Sequence, residues 1–153
     1  MCIRDRKNSS DFAEKCGYYG ERVVLKAQQL GLNTCWVALT YNKRKKAFTV
    51  NKGEKFSMVI SLGYGLYQGK PHKSKPIDEI SKSYCTAPLW FKNGVEAAML
   101  APTAMNQQKF NFELIGENDV IAKARLGFYS KVDLGIVKLH FELGAGKENF
   151  IWK

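Results

Sequence analysis

The chain has 153 residues, 45% of them apolar, and contains nine Phe, seven Tyr and three Trp. This length fits one domain that can bury a hydrophobic core, and the composition excludes a disordered protein. No apolar run approaches the roughly 18 residues of a membrane-spanning helix, so we expect no membrane partner. The formal net charge of +10 favours anionic partners but does not choose among nucleic acid, acidic membranes and phosphorylated cofactors.

The residue types that carry chemistry exclude several kinds of site. The four cysteines form no C-x-x-C pair, which favours reduced, mostly buried thiols in a cytoplasmic protein. The two histidines are far apart and lack the spacing of zinc ligands, so we predict no metal site. His140 lies within an apolar helical stripe, which is typical of a core histidine, and no Ser/His/Asp or Cys/His pattern predicts a catalytic nucleophile.

The first part of the chain predicts one helix and two strands. Residues 1–6 show no readable structural pattern, and we interpret residues 1–10 as a non-native leader. From Asp11 the apolar spacing is helical, and Gly31 stands where a C-cap glycine belongs. Residues 33–39 predict a short buried strand, and the alternation over residues 56–62 predicts another. The helical positions expected to share one buried face are Phe12, Cys16, Tyr19, Val23, Ala27 and Leu30.

Two basic stretches follow these elements. Residues 43–46 are all basic; we interpret them as a solvated surface, and the alternative is a nucleic-acid footprint. The second stretch, residues 70–75, comes soon after the strand that ends near Gly63. Lysine is a compact cation suited to binding phosphate, so this stretch predicts either a phosphate contact or a basic surface loop.

Pro102 divides a predicted helix over residues 88–101 from a polar loop, because proline lacks the backbone N–H and disfavours helical geometry in the residue before it. The loop presents the hydroxyl of Thr103 and the amides of Asn106 and Gln108, which are uncharged groups suited to a planar heterocycle. Alternation from residue 109 predicts a strand, and the stripe over residues 132–146 predicts another helix.

A short sequence pattern is repeated in the two parts of the chain. A pair of glycines and a following tryptophan occur twice with similar spacing, which predicts two related halves over residues 11–83 and 84–153. The repeated residues are Gly20, Gly31 and Trp36 in the first half, and Gly135, Gly146 and Trp152 in the second.

Two segments resemble the flavin-dependent nitroreductases. The segment over residues 20–39 is similar to that family's G-x-x-x-x-x-L-x-A-x-x-x-G-L-G-T-C-W, and residues 62–64 match its Leu-Gly-Tyr. Residues 101–110 resemble A-P-S-x-x-N-x-Q-P-[WF], with Thr103 in place of serine and Lys109 in place of proline. The residues that match the first segment are Leu25, Ala27, Gly31, Leu32, Thr34, Cys35 and Trp36.

The resemblance implies an FMN site between the two halves. In the family, backbone groups just after the tryptophan face the reactive edge of the flavin, and the loop after the proline contacts the ring from the neighbouring half. Basic side chains after Leu-Gly-Tyr help to hold the phosphate. The implied cofactor-binding residues are Trp36, Val37, Ala38, Leu39, Lys73, Lys75, Pro102, Thr103, Asn106 and Gln108.

The implied activity is that of an oxidoreductase in which the flavin performs the redox chemistry and the protein binds and orients it. NAD(P)H would supply a hydride, and a nitroaromatic or quinone-like molecule would accept the electrons, with no catalytic side chain required. The implied fold is α+β and nitroreductase-like, with an antiparallel or mixed sheet flanked by helices and two halves fused as a pseudo-dimer.

The family's arginine- and serine-containing start has no counterpart here, so we interpret the chain as an N-terminally truncated member. Two alternatives to a flavoenzyme remain. One is a non-catalytic or truncated fragment that keeps the fold without retaining flavin. The other is a basic nucleic-acid-binding protein, which no recognisable module supports, so we expect no nucleic-acid partner. The oligomeric state is left open.

Overall fold

The computed structural model describes residues 2–6, 11–39, 41 and 49–153, with only the backbone described for residues 2–6. Within these described residues, four α-helices and two three-stranded sheets confirm the predicted α+β class. The basic run over residues 43–46 lies outside the described residues. The elements are β1 (Cys2–Arg6), α1 (Phe12–Gln29), β2 (Asn33–Val37), β3 (Glu54–Gly63), α2 (Ile77–Ile80), α3 (Leu89–Met99), β4 (Phe110–Ile115), β5 (Asp119–Ala124), α4 (Ser130–Ala145) and β6 (Ile151–Trp152).

The first sheet has the order β1-β3-β2, and both pairings are antiparallel. The predicted alternation along β3 is present, since Met58 and Ile60 are buried in the core while Leu62 is exposed. Strand β1 lies in the part of the chain that showed no readable pattern. It is an edge strand that pairs antiparallel with β3.

The second sheet is built on a hairpin. Strands β4 and β5 pair antiparallel, and the short β6 pairs parallel to β5. The prediction of a strand from residue 109 is confirmed, with Phe110 and Phe112 fully buried on one face. Strands β5 and β6 were not predicted. The two residues of β6 are too short for a periodic signal, and a tertiary pairing decides their conformation.

The three long helices were predicted, but the buried face of α1 was not. Cys16 and Ala27 are buried, whereas Tyr19 is 58% exposed and Leu30 is 62% exposed. Val23 is also exposed, so the predicted buried stripe is wrong at Tyr19, Val23 and Leu30. The face that packs inward is built instead on Gly17, Gly20 and Glu21. Glycine is favoured at position 17 because α4 approaches α1 too closely there for a larger side chain.

The C-terminal end of α1 follows the sequence prediction. Gly31 adopts a φ of 75°, in the left-handed region that favours glycine. The backbone N–H of Leu32 reaches back to the carbonyl of Ala27 at 3.0 Å, which closes the last turn of the helix. The chain therefore leaves α1 at a fixed angle and enters β2 directly.

Helix α4 is central to the domain and packs against both α1 and α3. A Cβ atom at Gly17 would lie 2.0 Å from the carbonyl oxygen of Val132, and one at Gly135 would lie 1.9 Å from the carbonyl oxygen of Glu14. On the opposite side of α4, Phe141 stacks on Phe112 with ring centroids 4.7 Å apart. Backbone contact on one side and aromatic packing on the other therefore fix the position of α4.

We expect Gly135→Ala to lower the free energy of unfolding by roughly 1–3 kcal/mol, because the added methyl group overpacks a backbone-to-backbone contact. Urea denaturation followed by circular dichroism measures this loss. The matched control is Gly63→Ala, where a Cβ atom meets nothing within 4 Å. A Gly135→Ala protein as stable as the control would contradict the close helix contact.

Candidate functional site

A cavity of 310 Å³ lies between the end of β2 and the loop that follows α3. Its size is at the lower end of the range typical of small-molecule sites, about 300–1,000 Å³. The structure brings six of the sequence-predicted site residues to its wall: Trp36, Val37, Ala38, Leu39, Pro102 and Thr103. The remaining wall residues are Met58, Ala104, Met105, Phe128, Tyr129, Val132, Asp133 and Ile136.

Local structure explains how these two distant segments meet. Strand β2 ends at Val37, so the residues after it leave the sheet at the cavity. Helix α3 ends at Met99, before Pro102, and the loop turns through a short 3-10 segment, Ala104–Asn106, in which Met105 has a φ of 54°. Helix α4 forms a third wall through Val132 and Ile136. Two walls thus come from the predicted segments, and the third comes from a helix that gave no site signal.

Trp36 is held in the cavity wall by a buried carboxylate. Its indole Nε1 donates to Glu21 Oε2 at 3.0 Å, and Glu21 is only 1% exposed. The other oxygen, Oε1, lies 2.9 Å from His140 Nε2 on α4. His140 therefore lies in the core between helices, as predicted, and does not line the cavity. Glu21, which the sequence analysis missed, connects β2, α1 and α4.

A second, partly buried carboxylate forms a similar set of bonds between the same two helices. Glu142 on α4 accepts a hydrogen bond from Trp152 Nε1 at 2.8 Å and another from the Tyr18 hydroxyl at 2.5 Å. Burial and the bond to Glu142 raise the pKa of Tyr18 to about 12. Each tryptophan thus bonds a glutamate on the preceding helix, and each glutamate also bonds a side chain from the other helix.

The predicted amides of the polar loop bond another part of the chain. Gln108 is 2% exposed, and its Nε2 donates to the carbonyl of Lys73 at 2.9 Å while its Oε1 accepts from the N–H of Lys75 at 2.9 Å. Asn106 Nδ2 donates to the same Lys73 carbonyl at 3.0 Å. The hydroxyl of Thr103 accepts from the N–H of Gln108 at 3.1 Å. Asn106 and Gln108 lie outside the cavity wall and fix the segment that contains the two lysines.

The side chains of those two lysines also lie outside the cavity wall. Lys73 is exposed, and Lys75 Nζ lies 3.9 Å from Glu79 Oε2 in a partly exposed ion pair. The structure therefore brings the lysines to the same loop cluster as Asn106 and Gln108. It does not bring them to the wall shared by Trp36 and Pro102.

Asp133 is the charged residue of the cavity wall, and the sequence analysis missed it. It is 2% exposed, and its oxygens accept hydrogen bonds from the Ala104 N–H at 3.0 Å and from Gln107 Nε2 at 2.9 Å. Burial raises the pKa of Asp133, although these two hydrogen bonds oppose the shift. No sequence pattern singled out this residue, because an acidic residue in the first turn of a helix is ordinary. Asp133 holds the loop after Pro102 against α4.

Among the described residues, no group of three or more His, Cys, Asp or Glu side chains could hold a metal ion. No helix in this part of the chain is long and apolar enough to cross a membrane.

Comparison with known proteins assigns the chain to a family. Residues 2–145 match the family model described as "Putative TM nitroreductase". The chain belongs to this nitroreductase family. The family and fold of the sequence prediction are thereby confirmed, since the match covers most of the chain, including both segments that resembled nitroreductases.

A solved structure supports the fold of this nitroreductase-family chain. The crystal structure of a putative nitroreductase from Thermotoga maritima superimposes with a TM-score of 0.73 at 24% sequence identity. The alignment covers 94% of this chain and 59% of the other, so this chain spans somewhat more than half the length of that relative. No curated protein matches.

We expect Glu21→Ala to destabilise the protein by roughly 2–4 kcal/mol, because the partly buried Trp36 indole and His140 imidazole both lose their partner. Urea denaturation measures the loss. Glu21→Gln is the matched variant, since an amide can accept from the indole and donate to a neutral imidazole. Glu117→Ala, at an exposed turn, controls for loss of an acidic residue. Equal stability of Glu21→Ala and Glu117→Ala would contradict this role.

We expect the ionisation of Asp133 to lower the free energy of unfolding. The loss should develop as the pH rises from about 4, the ordinary pKa of aspartate, through the raised pKa of Asp133. Over that window the folded state holds the proton more tightly than the unfolded state, so ionisation destabilises the fold. The free energy of unfolding is measured for the native protein and for Asp133→Asn from pH 4 to 7. We expect the native protein to lose stability relative to the variant as the pH increases. A constant difference would contradict the raised pKa.

Proposed function

We propose that this chain is an FMN-dependent, cytoplasmic oxidoreductase whose ligand ring occupies the cavity between Trp36 and Pro102. The observation that supports the proposal is that two nitroreductase-like segments, far apart in sequence, form opposite walls of one cavity. The arrangement of two halves with a site between them is part of the same proposal. The reciprocal bonds of Glu21 and Glu142 across α1 and α4 support it.

The residues present fit a flavin ring. Side chains of Trp36, Met58, Val132 and Ile136 supply apolar surface, as in most small-molecule sites. The segment over residues 37–39 would hold the polar edge of the ring through backbone groups. Thr103 lies on the opposite wall, at the start of the loop that Asp133 fixes. The ring would therefore bind between an apolar face and the polar loop.

The chemistry of such a site belongs mainly to the cofactor. Bound FMN would accept a hydride from NAD(P)H and pass electrons to a nitroaromatic or quinone-like acceptor. The chain's own part is to bind and orient the ring, and to exclude water with Met58, Val132 and Ile136. Lys73 and Lys75, on the segment bonded by Asn106 and Gln108, are candidates to hold the phosphate. The described side chains around the cavity include no nucleophile held by a general base.

A second candidate is a nitroreductase-fold protein that does not retain flavin. The observation in its favour is that the described wall of the cavity contains no lysine or arginine that could hold a bound phosphate. Cofactor retention separates the two candidates.

We expect the purified protein to keep a visible flavin spectrum after incubation with FMN and desalting, and anaerobic NADH or NADPH to bleach it. Absorbance spectroscopy measures both effects. Ala104→Phe should lower flavin affinity at least about tenfold by filling the cavity, since ring burial supplies much of the binding energy. Leu100→Phe, at an exposed position outside the cavity wall, is the matched control.

A folded native protein that remains colourless would overturn the flavin proposal and favour the second candidate. Equal flavin affinity in Ala104→Phe and Leu100→Phe would instead place the flavin elsewhere on the protein.

A further inference from the structure

A cleft of 530 Å³ lies between β4 and the segment over residues 78–83. Its volume is within the range of about 300–1,000 Å³ that is typical of small-molecule sites. The described walls of the cleft and of the cavity share no residue. The cleft is therefore separate from the site proposed for flavin.

Two hydrogen bonds hold the segment against the sheet and bound the cleft. Near one end, the backbone N–H of Leu114 donates to Ser83 Oγ at 3.4 Å. Near the other end, the Arg125 guanidinium donates to the carbonyl of Glu79. Ser83, Glu79 and Arg125 all line the cleft, so these bonds limit the length of anything that binds in it.

The wall formed by β4 contains unused backbone groups. The N–H of Arg125 donates to the carbonyl of Lys109 at 2.8 Å, which makes residues 109 and 125 a hydrogen-bonded pair. Such pairs alternate along an antiparallel ladder, so Phe112 directs its N–H and carbonyl away from β5, as Leu114 does. No other described element pairs with this edge of β4, and neither group of Phe112 has a hydrogen-bond partner among the described residues.

The opposite wall contains an unused hydroxyl. Ser81 is 3% exposed, and its Oγ is the only buried side-chain polar atom of the described residues that has no hydrogen-bond partner. Because Ser81 also lines the cleft, it belongs to the floor rather than to the rim. A buried hydroxyl without a partner is unfavourable. Ser81 and Phe112 therefore leave a hydroxyl, an N–H and a carbonyl available to a ligand between them.

The charges of the cleft favour a neutral ligand. Carboxylates and cations are mixed along its wall, so neither an anion nor a cation finds a field of one sign. A neutral group that both donates and accepts hydrogen bonds suits the unused groups better. The charged wall residues are Asp78, Glu79, Lys82, Glu113 and Arg125.

We propose that this cleft binds a short extended peptide through its main chain. The N–H and carbonyl of one extended residue point to the same edge, where they match the carbonyl and N–H of Phe112 as in an added antiparallel strand. The carbonyl of the preceding residue points to the opposite edge, toward Ser81, and would accept from its hydroxyl. The peptide is short because the cleft is bounded at both ends.

The first test uses N-acetyl-valine N′-methylamide, which is one extended residue with an amide on each side. The control ligand is the matched ester, in which oxygen replaces the valine N–H. We expect the amide, at millimolar concentration, to shift the Phe112 amide signal in a ¹⁵N–¹H NMR titration. The ester should bind about fivefold more weakly, as expected for loss of one hydrogen bond. An unshifted Phe112 signal, or equal affinity for the two ligands, would overturn the proposal.

The second test compares Ser81→Ala with Ser74→Ala, at an exposed serine outside the cleft wall. We expect Ser81→Ala to keep or raise the Tm of the ligand-free protein, because it removes a buried hydroxyl that has no partner. The same variant should bind the amide about fivefold more weakly, whereas Ser74→Ala should change neither quantity. A lower Tm for Ser81→Ala would show that the hydroxyl already has a structural partner, such as a trapped water, and would overturn its assignment to a ligand.

This inference goes beyond the proposed function and does not depend on it. Both tests use the whole chain without flavin. A protein that binds no FMN can still bind the peptide in the cleft, and one that binds FMN normally still fails the titration if the cleft is not a peptide site.

Discussion

The contact between the backbones of α1 and α4 is the tightest packing constraint in the described structure. Gly17 and Gly135 allow carbonyl groups to approach where any side chain would collide. Because α1 leads directly into β2, and α4 forms a wall of the cavity, this contact fixes the distance between two walls of the site. A core that tolerates little change in volume transmits such a constraint to everything packed on it.

Buried and partly buried carboxylates then align the elements that the glycines bring together. Glu21, Asp133 and Glu142 each accept two hydrogen bonds, and each connects parts of the chain that are distant in sequence. Burying a charge is costly, and a single missing partner would leave that cost uncompensated. Each carboxylate therefore favours one arrangement of its partners: Trp36 toward the cavity, the loop after Pro102 toward α4, and α1 toward α4.

The polar loop combines two roles that the sequence could not separate. Hydroxyl and amide groups after a proline suit a heterocyclic ligand, and Pro102 and Thr103 do lie on the cavity wall. Asn106 and Gln108 have the same chemistry, yet they bond the backbone of Lys73 and Lys75. A residue that contacts a ligand and one that bonds the backbone can have the same type and the same spacing in the sequence. Only the position of residues 73–75 in the fold distinguishes the two roles.

The sequence by itself determined the helices α1, α3 and α4, the strands β2, β3 and β4, the cap at Gly31 and the family, because periodicity and local motifs are encoded in neighbouring residues. Tertiary structure decided the strands β1, β5 and β6 and the face that α1 buries. It also decided the partners of Glu21 and Asp133. These features depend on residues far apart in the chain, and no local pattern records which distant backbone, carboxylate or cation will share a space.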